Sequence, residues 1–344
     1  MALSYRSRRV LRGFGAFLLV LALVLVLAAI VWLLWIDRYM IYTRDGAKLD
    51  FDLSDQLAVG EVAVPPQAEA STPIYYNEGD NAINTSTELA QMYGYYITTD
   101  MLVNDGYRTM QILRTLPAQT PVMIELKDIK GRFYYNSSMG PMASNLDMAQ
   151  VDQIISFITN SGLYAIAKFP ALRDYTFGLE NVPYGLPAKG YNGALWMDQQ
   201  GCYWLDASKE GTLAFLIQII TELKAMGFDE VVLGDFLFPD TDRIVYSKNK
   251  KEVLQNAAAR LVEACGSSRF AVSFVVSDGE FALPAGRTRL YLEGKTAGEA
   301  KQQAELATVP DKLINLAFIT DLKDSRFDSY SVLRPLTLAA IEDS

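Results

Sequence analysis

Hydrophobic positions along the chain fall into four regimes. Phe14 to Ile36 is an unbroken apolar run without a charge. Its length of about 23 residues spans a hydrocarbon core of roughly 30 Å at 1.5 Å per residue. From Tyr39 to Leu53 apolar and polar residues alternate, which predicts a short hairpin turning at Arg44-Asp45-Gly46. From Ala58 to about Leu89 the chain is rich in Ala, Pro, Ser, Thr and Asn and contains Pro65-Pro66, the composition of a stalk or linker. Beyond it two periodicities take turns. Gly94–Thr99, Pro121–Lys127, Leu163–Phe169, Glu230–Phe236, Phe270–Val276, Arg289–Leu292 and Leu313–Ile319 read as strands. Val151, Ile154, Ile155 and Ile158 recur at helical spacing before Gly162, and Leu213, Leu216, Ile217, Ile220 and Leu223 do so before Gly227. Glycine just past a helix is the usual left-handed stop. Val253–Cys265 and Ala297–Ala307 supply two more helices.

Strands alternating with helices in one block of about 250 residues argue for a parallel sheet, and the size fits a TIM-like (β/α)8 barrel. Seven strands are legible where closure needs eight, so the barrel can be incomplete. An open doubly wound sheet is the alternative, weakened because no Gly-x-Gly-x-x-Gly or P-loop follows a strand. The expected organisation is a cytoplasmic tail and anchor over 1–36, hairpin and stalk over 37–90, and the barrel over 91–344.

Charge gives the anchor a direction. Arg6, Arg8, Arg9 and Arg12 precede the apolar run and Asp37 follows it. Basic residues stay on the cytoplasmic side, so the expectation is a single-pass cell-membrane protein with its C-terminal domain extracytoplasmic. A cleaved signal peptide would have an apolar region of about 7–15 residues and a small-x-small site. Here Trp32, Leu33, Leu34 and Trp35 stand where small residues should be. Removing the four arginines from 31 bases leaves 27 against 40 acids, a net charge of −13. That balance argues against a nucleic-acid partner, which needs a basic face.

Composition also limits the chemistry. With no histidine, Ser-His-Asp and Cys-His nucleophiles and His-ligated metals are excluded, and with them the usual metal site of a polysaccharide deacetylase. Two cysteines, Cys202 and Cys265, are too few for a disulfide framework. They can be one disulfide or two free thiols.

In a barrel of this kind chemistry sits at the C-terminal ends of the strands. On the second predicted strand Val122, Ile124 and Leu126 share one face. Met123, Glu125 and Lys127 share the other, which is predicted to point into the barrel with Asp128 at its mouth. On the third strand Lys168 falls just before Phe169-Pro170, and on the fourth Asp235 sits at the C-terminal end, followed by Phe236. These charges can pair with one another as a structural network, or bind substrate. The long loop from Asp174 to Asp206 carries Trp196-x-Asp198-x-x-Gly201-x-x-Trp204-x-Asp206. Aromatic faces beside carboxylates suit a sugar ring. The alternative is that Trp196 and Trp204 pack under the loop, and Asp206 is read as capping the next helix.

At these residues a family resemblance enters. Ile124-Glu125-Leu126-Lys127-Asp128-x-x-Gly131, the Lys168 to Asp174 segment, the tryptophan loop and Gly227-Phe228-Asp229-Glu230 through Asp235-Phe236-x-Phe238-Pro239 resemble the putative glycoside hydrolase family, a bacterial family of TIM barrels. The resemblance covers about Gly94 to Asp240. It departs from the family at Leu237, where an arginine is usual, and in the downstream strand-end motifs. It implies cleavage of a polysaccharide or cell-surface glycan by paired carboxyl groups, without a cofactor or metal. Asp235 is then the nucleophile or base. Asp278, Glu280 or Glu293 supplies the proton, while Glu125, Lys127, Asp128, Lys168, Trp196, Asp198, Trp204 and Phe236 bind or orient substrate. A catalytically inactive glycan-binding or scaffold barrel is the second reading.

Overall fold

The computed structural model describes residues 40–43, 46–49, 89–190, 193–277 and 280–337. The chain divides into two compact units, Met1–Asn81 and Ala82–Ser344. In the first, β1 (Met40–Thr43) pairs antiparallel with β2 (Gly46–Leu49), Thr43 opposite Gly46, so Gly46 is a strand residue. The predicted anchor Phe14–Ile36 and most of the stalk lie outside the described residues. Among the described residues no helix is long and apolar enough to cross a membrane.

The second unit contains a closed barrel of eight parallel strands. In chain order these are β3 (Tyr93–Ile97), β4 (Pro121–Glu125), β5 (Tyr164–Pro170), β6 (Glu230–Gly234), β7 (Ala271–Val276), β8 (Leu290–Glu293), β9 (Leu316–Ile319) and β10 (Ser331–Pro335), with β10 closing on β3. This is the (β/α)8 fold, and the barrel is complete. The strand that sequence reading missed is β10, five residues ending in Arg334-Pro335 with no helix leading into it. Leu313–Ile319 is only half strand. Its first residues belong to a helical turn, Lys312–Asn315, whose start is capped by Asp311.

The helices wrap the outside: α1 (Thr99–Asn104), α2 (Gly106–Leu113), α3 (Met148–Asn160), α4 (Tyr175–Glu180), α5 (Glu210–Ala225), α6 (Lys250–Cys265), α7 (Ala297–Leu306) and α8 (Lys312–Asn315). On α3, Asp147 caps the first turn through Gln150 N, and Val151, Ile154, Ile155 and Ile158 are buried. Gly162 (φ 78°) and Gly227 (φ 94°) lie just beyond α3 and α5 in the left-handed region, as their positions predict. Thr98 and Thr99 are not strand residues. Thr98 Oγ1 accepts from Met101 N and so starts α1.

Two apolar layers result from strand alternation. Val122, Ile124 and Leu126 face the helices in the large outer cluster. Met123, Ile166, Val232, Tyr291 and Leu333 are among those filling the barrel. Its N-terminal end is closed by a polar plug. Glu230, fully buried at the start of β6, is ion-paired with Arg289 and accepts from Ser273 Oγ (2.5 Å), Tyr164 OH (2.9 Å) and Tyr291 OH (3.0 Å). A carboxylate survives there because a charge and three hydroxyls replace its water. Its neighbour Asp229 accepts from Ala165 N at 2.8 Å. Both acids of the Gly227-Phe228-Asp229-Glu230 block therefore serve the barrel floor, opposite the rim where chemistry is expected.

Candidate active site

The C-terminal rim holds a cavity of about 420 Å³. Its walls come from the ends of β3, β4, β5, β8 and β9, and include Tyr96, Glu125, Lys168, Glu293 and Asp321. Lys168 is the centre of this polar group. Its ammonium is ion-paired with Glu293 and lies 3.5 Å from Glu125 Oε1. Glu125 in turn accepts from Thr99 N (3.3 Å) and Thr99 Oγ1 (3.1 Å) at the start of α1. One cation is thus shared by two carboxylates. Burial alone would lower the Lys168 pKa, but Glu293 and Glu125 outweigh it and the net shift is upward.

Asp235 directly follows β6. It occupies the left-handed region (φ 47°), which is unusual for a residue with a Cβ. Gly234 before it leaves room for the neighbouring strand: a Cβ there would stand 3.5 Å from Lys168 Cε and 3.3 Å from Phe169 O. Among the described residues the Asp235 carboxylate has no ion pair within 4 Å and no hydrogen bond, so the expected pairing with Lys127 or Lys168 is not formed. Burial holds its pKa above the ordinary carboxylate value. Arg173, Lys168 and Lys127 oppose that rise, and Glu293 adds to it.

The structure thus gathers Glu125, Lys168 and Glu293 in this cavity, while Asp235, which follows β6 at the same C-terminal end of the barrel, is not among the residues that line it. The other predicted residues that are described do not line it either. Lys127 is buried, because β4 ends at Glu125 and the alternation that would aim it inward stops with it. Its ammonium meets Asp174 Oδ2 at 2.8 Å, donates to Pro170 O, and lies over the rings of Phe169 and Phe215. Asp128 is consumed by its own turn, accepting from Lys130 N, Arg132 N and Arg132 Nε. Phe236 is buried against Phe274 and Phe281. Glu280 is exposed and lies 3.6 Å from Lys251. Asp278 lies outside the described residues.

The tryptophan loop folds on itself. Trp196, Trp204, Leu186 and Ile244 form a small apolar cluster with Leu237, Phe238 and Tyr246. Asp198 accepts from Trp204 Nε1 (2.9 Å), Gln200 N (2.9 Å), Cys202 N (3.0 Å) and Arg173 Nε (2.6 Å). Its burial would raise the carboxyl pKa, and these donors lower it overall. Asp206 accepts from Ser208 N and Tyr246 OH, both at 2.9 Å. The cap position of α5 is Lys209, three residues later, so the predicted capping role of Asp206 is not realised. Cys202 and Cys265 are both free and buried.

Sequence reading passed over Tyr96, Asp321 and Arg173. The first two stand at or just past the C-terminal ends of β3 and β9, and strand-end position was the signal that could have found them. Arg173 had no such signal, since its partners are 25 and more residues away.

A family model described as "Putative glycosyl hydrolase domain" matches residues 94–270, from β3 to the brink of β7. No curated protein matches the chain. Among solved structures, a hypothetical protein from Ruminiclostridium thermocellum ATCC 27405 is 19% identical, covering 52% of this chain and 96% of that one, with a TM-score of 0.44. An alpha-galactosidase from Thermus thermophilus is 11% identical over 74% of this chain and 61% of that one (TM-score 0.43). An alpha-galactosidase from Geobacillus stearothermophilus is 10% identical over 74% and 40% (TM-score 0.47). This chain spans less than two thirds of either galactosidase, and no residue role passes from them to it.

Proposed function

The chain belongs to the family described as "Putative glycosyl hydrolase domain", and from that premise we propose that it is a membrane-anchored, extracytoplasmic glycoside hydrolase that cleaves a polysaccharide with Asp235 and Glu293. The observation that carries this reading is the pairing pattern at the rim. Among the described residues one carboxylate, Asp235, has no ion partner, and a second, Glu293, shares its cation with a third, Glu125. Glycosidic cleavage needs one carboxyl group to protonate the leaving oxygen and another to attack the anomeric carbon or activate water. Glu293 suits the first task. When it holds a proton, Lys168 keeps Glu125 as its counter-charge, so the ammonium is never left alone. Asp235 suits the second, because among the described residues no neighbour engages its lone pairs. Glu125, Lys168, Tyr96 and Asp321 line the space where the sugar would sit. The anchor half of the reading rests on the apolar run from Phe14 to Ile36 and the four arginines before it.

The test is hydrolysis of a polysaccharide panel by the protein, Asp235→Asn and Glu293→Gln. Activity is expected in the parent. Each variant should lose several orders of magnitude in rate. Glu293→Gln should keep more activity on substrates with an activated leaving group, which needs no proton. Binding without hydrolysis on every substrate would leave the non-catalytic glycan-binding barrel as the better account.

A further inference from the structure

The rim cavity holds more acid than its own cations balance. Three carboxylates line it, Glu125 and Glu293 at the ends of β4 and β8 and Asp321 just past β9, against the ammonium groups of Lys168 and Lys295. Lys168 is already divided between Glu293 and Glu125. Lys295 is engaged elsewhere: its Nζ donates at 2.6 Å to the carbonyl of Ser277, which follows β7 and does not line the cavity. Asp321 is exposed, and among the described residues its carboxylate has no hydrogen bond or ion pair. Met123 and Ile319, which also line the cavity, belong to the apolar filling of the barrel. Charges beside such a low-dielectric wall are screened less than on an open surface. The half-buried Tyr96 registers the resulting field. Burial raises its phenol pKa, Asp321, Glu293 and Glu125 raise it further, and the opposing pull of Lys168 does not offset them.

We propose that this cavity selects a glycan whose sugars carry protonated amines, an unacetylated aminohexose polymer, and that Asp321 is the specificity-determining residue that meets the ammonium. The proposal deepens the glycoside hydrolase reading and rests on the cavity being where the sugar sits. Charge decides between the sugar classes. A uronic acid would bring a further anion beside three carboxylates and be repelled. A neutral sugar would leave the excess negative charge unbalanced. An ammonium supplies the missing cation and donates charge-assisted hydrogen bonds, which are stronger than those of a hydroxyl. Acetylating the nitrogen removes that charge and adds bulk, so the acetylated sugar loses the advantage. Met123 and Ile319 offer apolar surface to the C–H face of the ring. The role falls to Asp321 because Glu125 and Glu293 already hold Lys168.

The test is calorimetric binding to the full-length protein at low salt. The probes are oligomers of glucosamine and of galactosamine, each with its N-acetylated counterpart of the same linkage, and an oligogalacturonate. At least one amino oligomer should bind about tenfold more tightly than its acetylated counterpart, and the oligogalacturonate should bind least. Asp321→Asn should weaken the amino oligomer by about fivefold, the order of one exposed charge pair, and Asp321→Glu should keep most of the preference. A polycation held loosely by the acidic surface would not notice the loss of one carboxylate. The parent alone gives a second readout. A sugar amine titrates near the α-amino range of about 8, so the preference should fade as pH rises from about 6 to 9. Lys168 and Tyr96 titrate above their ordinary values and keep their charge state across that range. Equal or tighter binding of the acetylated or acidic oligomer, no binding of any amino oligomer, or a preference untouched by Asp321→Asn overturns the proposal. Hydrolysis of a neutral polysaccharide without amine preference would sink this inference and leave the hydrolase standing. Amine-selective binding through Asp321 without hydrolysis would do the reverse.

Discussion

Asp235 differs from the other acids at the rim in that its carboxylate is partly buried without a partner among the described residues and its backbone is left-handed. Asparagine tolerates that backbone region well, whereas alanine there costs about 1–2 kcal/mol. Asp235→Asn should therefore fold as well as the parent. A linkage argument takes the expectation further. Burial raises the folded-state pKa, so the contribution of Asp235 to stability is present below its unfolded value and is lost as pH rises through the folded value. At neutral pH Asp235→Asn should thus melt no lower than the parent, and any advantage should vanish below the ordinary carboxylate range. Thermal melts from pH 3 to 8 check this. A variant that melts well below the parent at pH 7 would mean that the carboxylate has a structural partner. At this scale the sequence was legible where a residue's strand ended on schedule. Glu125 and Glu293 end their strands, Lys168 lies two residues before the end of β5, and all three reach the rim. Lys127 did not follow, because strand alternation was extended two residues past the point where β4 stops.

Among the elements, two buried ion pairs tie distant segments together. Lys127 and Asp174 have side chains 0% and 1% exposed and join the end of β4 to the start of α4. Removing one partner of such a pair leaves a buried charge and typically costs about 3–5 kcal/mol. Lys127→Met should destabilise by that order with little direct effect on sugar binding, since nothing of Lys127 reaches the cavity. Denaturant unfolding measures the first part and glycan binding the second. Glu230 and Arg289 join β6 to β8 at the barrel floor, with Tyr164 of β5 and Ser273 of β7 completing the network. Glu230→Gln removes the anion and leaves Arg289 buried, so a loss of about 3–5 kcal/mol is expected from urea melts, again with the rim cavity unchanged. These networks explain what the sequence could not convey. Hydrophobic spacing revealed α3, α5, α6 and α7 because each buries a periodic apolar face, and the glycines after α3 and α5 marked their ends. Glu230 looked like part of a chemical motif because a buried acid in a strand has the same letter whichever end of the barrel it faces. Short elements with no glycine stop and little apolar repeat, β10 and α4 among them, left no such trace.

At the scale of the whole molecule, the barrel closes on itself through β10 and β3, so its sheet has no free edge to offer another segment. The unit that contains it begins at Ala82. A chain covering 82–344 should therefore unfold in one cooperative transition, with the midpoint of the full-length protein's barrel. A broad, non-cooperative melt would show that the segment before Ala82 contributes to the barrel's core. The orientation argument concerns the rest of the chain. Four arginines lie within the 12 residues that start the sequence, and the 23-residue apolar run follows them without a charge. In the orientation we propose, those four cations stay on the cytoplasmic side and everything after Ile36 faces outward. The net negative charge of the part after Ile36 would then disfavour anionic lipid surfaces. A reporter active only outside the cytoplasm, fused after Ser344, should score positive. Exchanging Arg6, Arg8, Arg9 and Arg12 for glutamine while placing lysines after Asp37 should reverse it. N-terminal sequencing of the membrane fraction should find the intact start of the chain. A mature protein beginning near residue 37, recovered in the soluble fraction, would overturn the anchor while leaving the barrel and its rim chemistry as they stand.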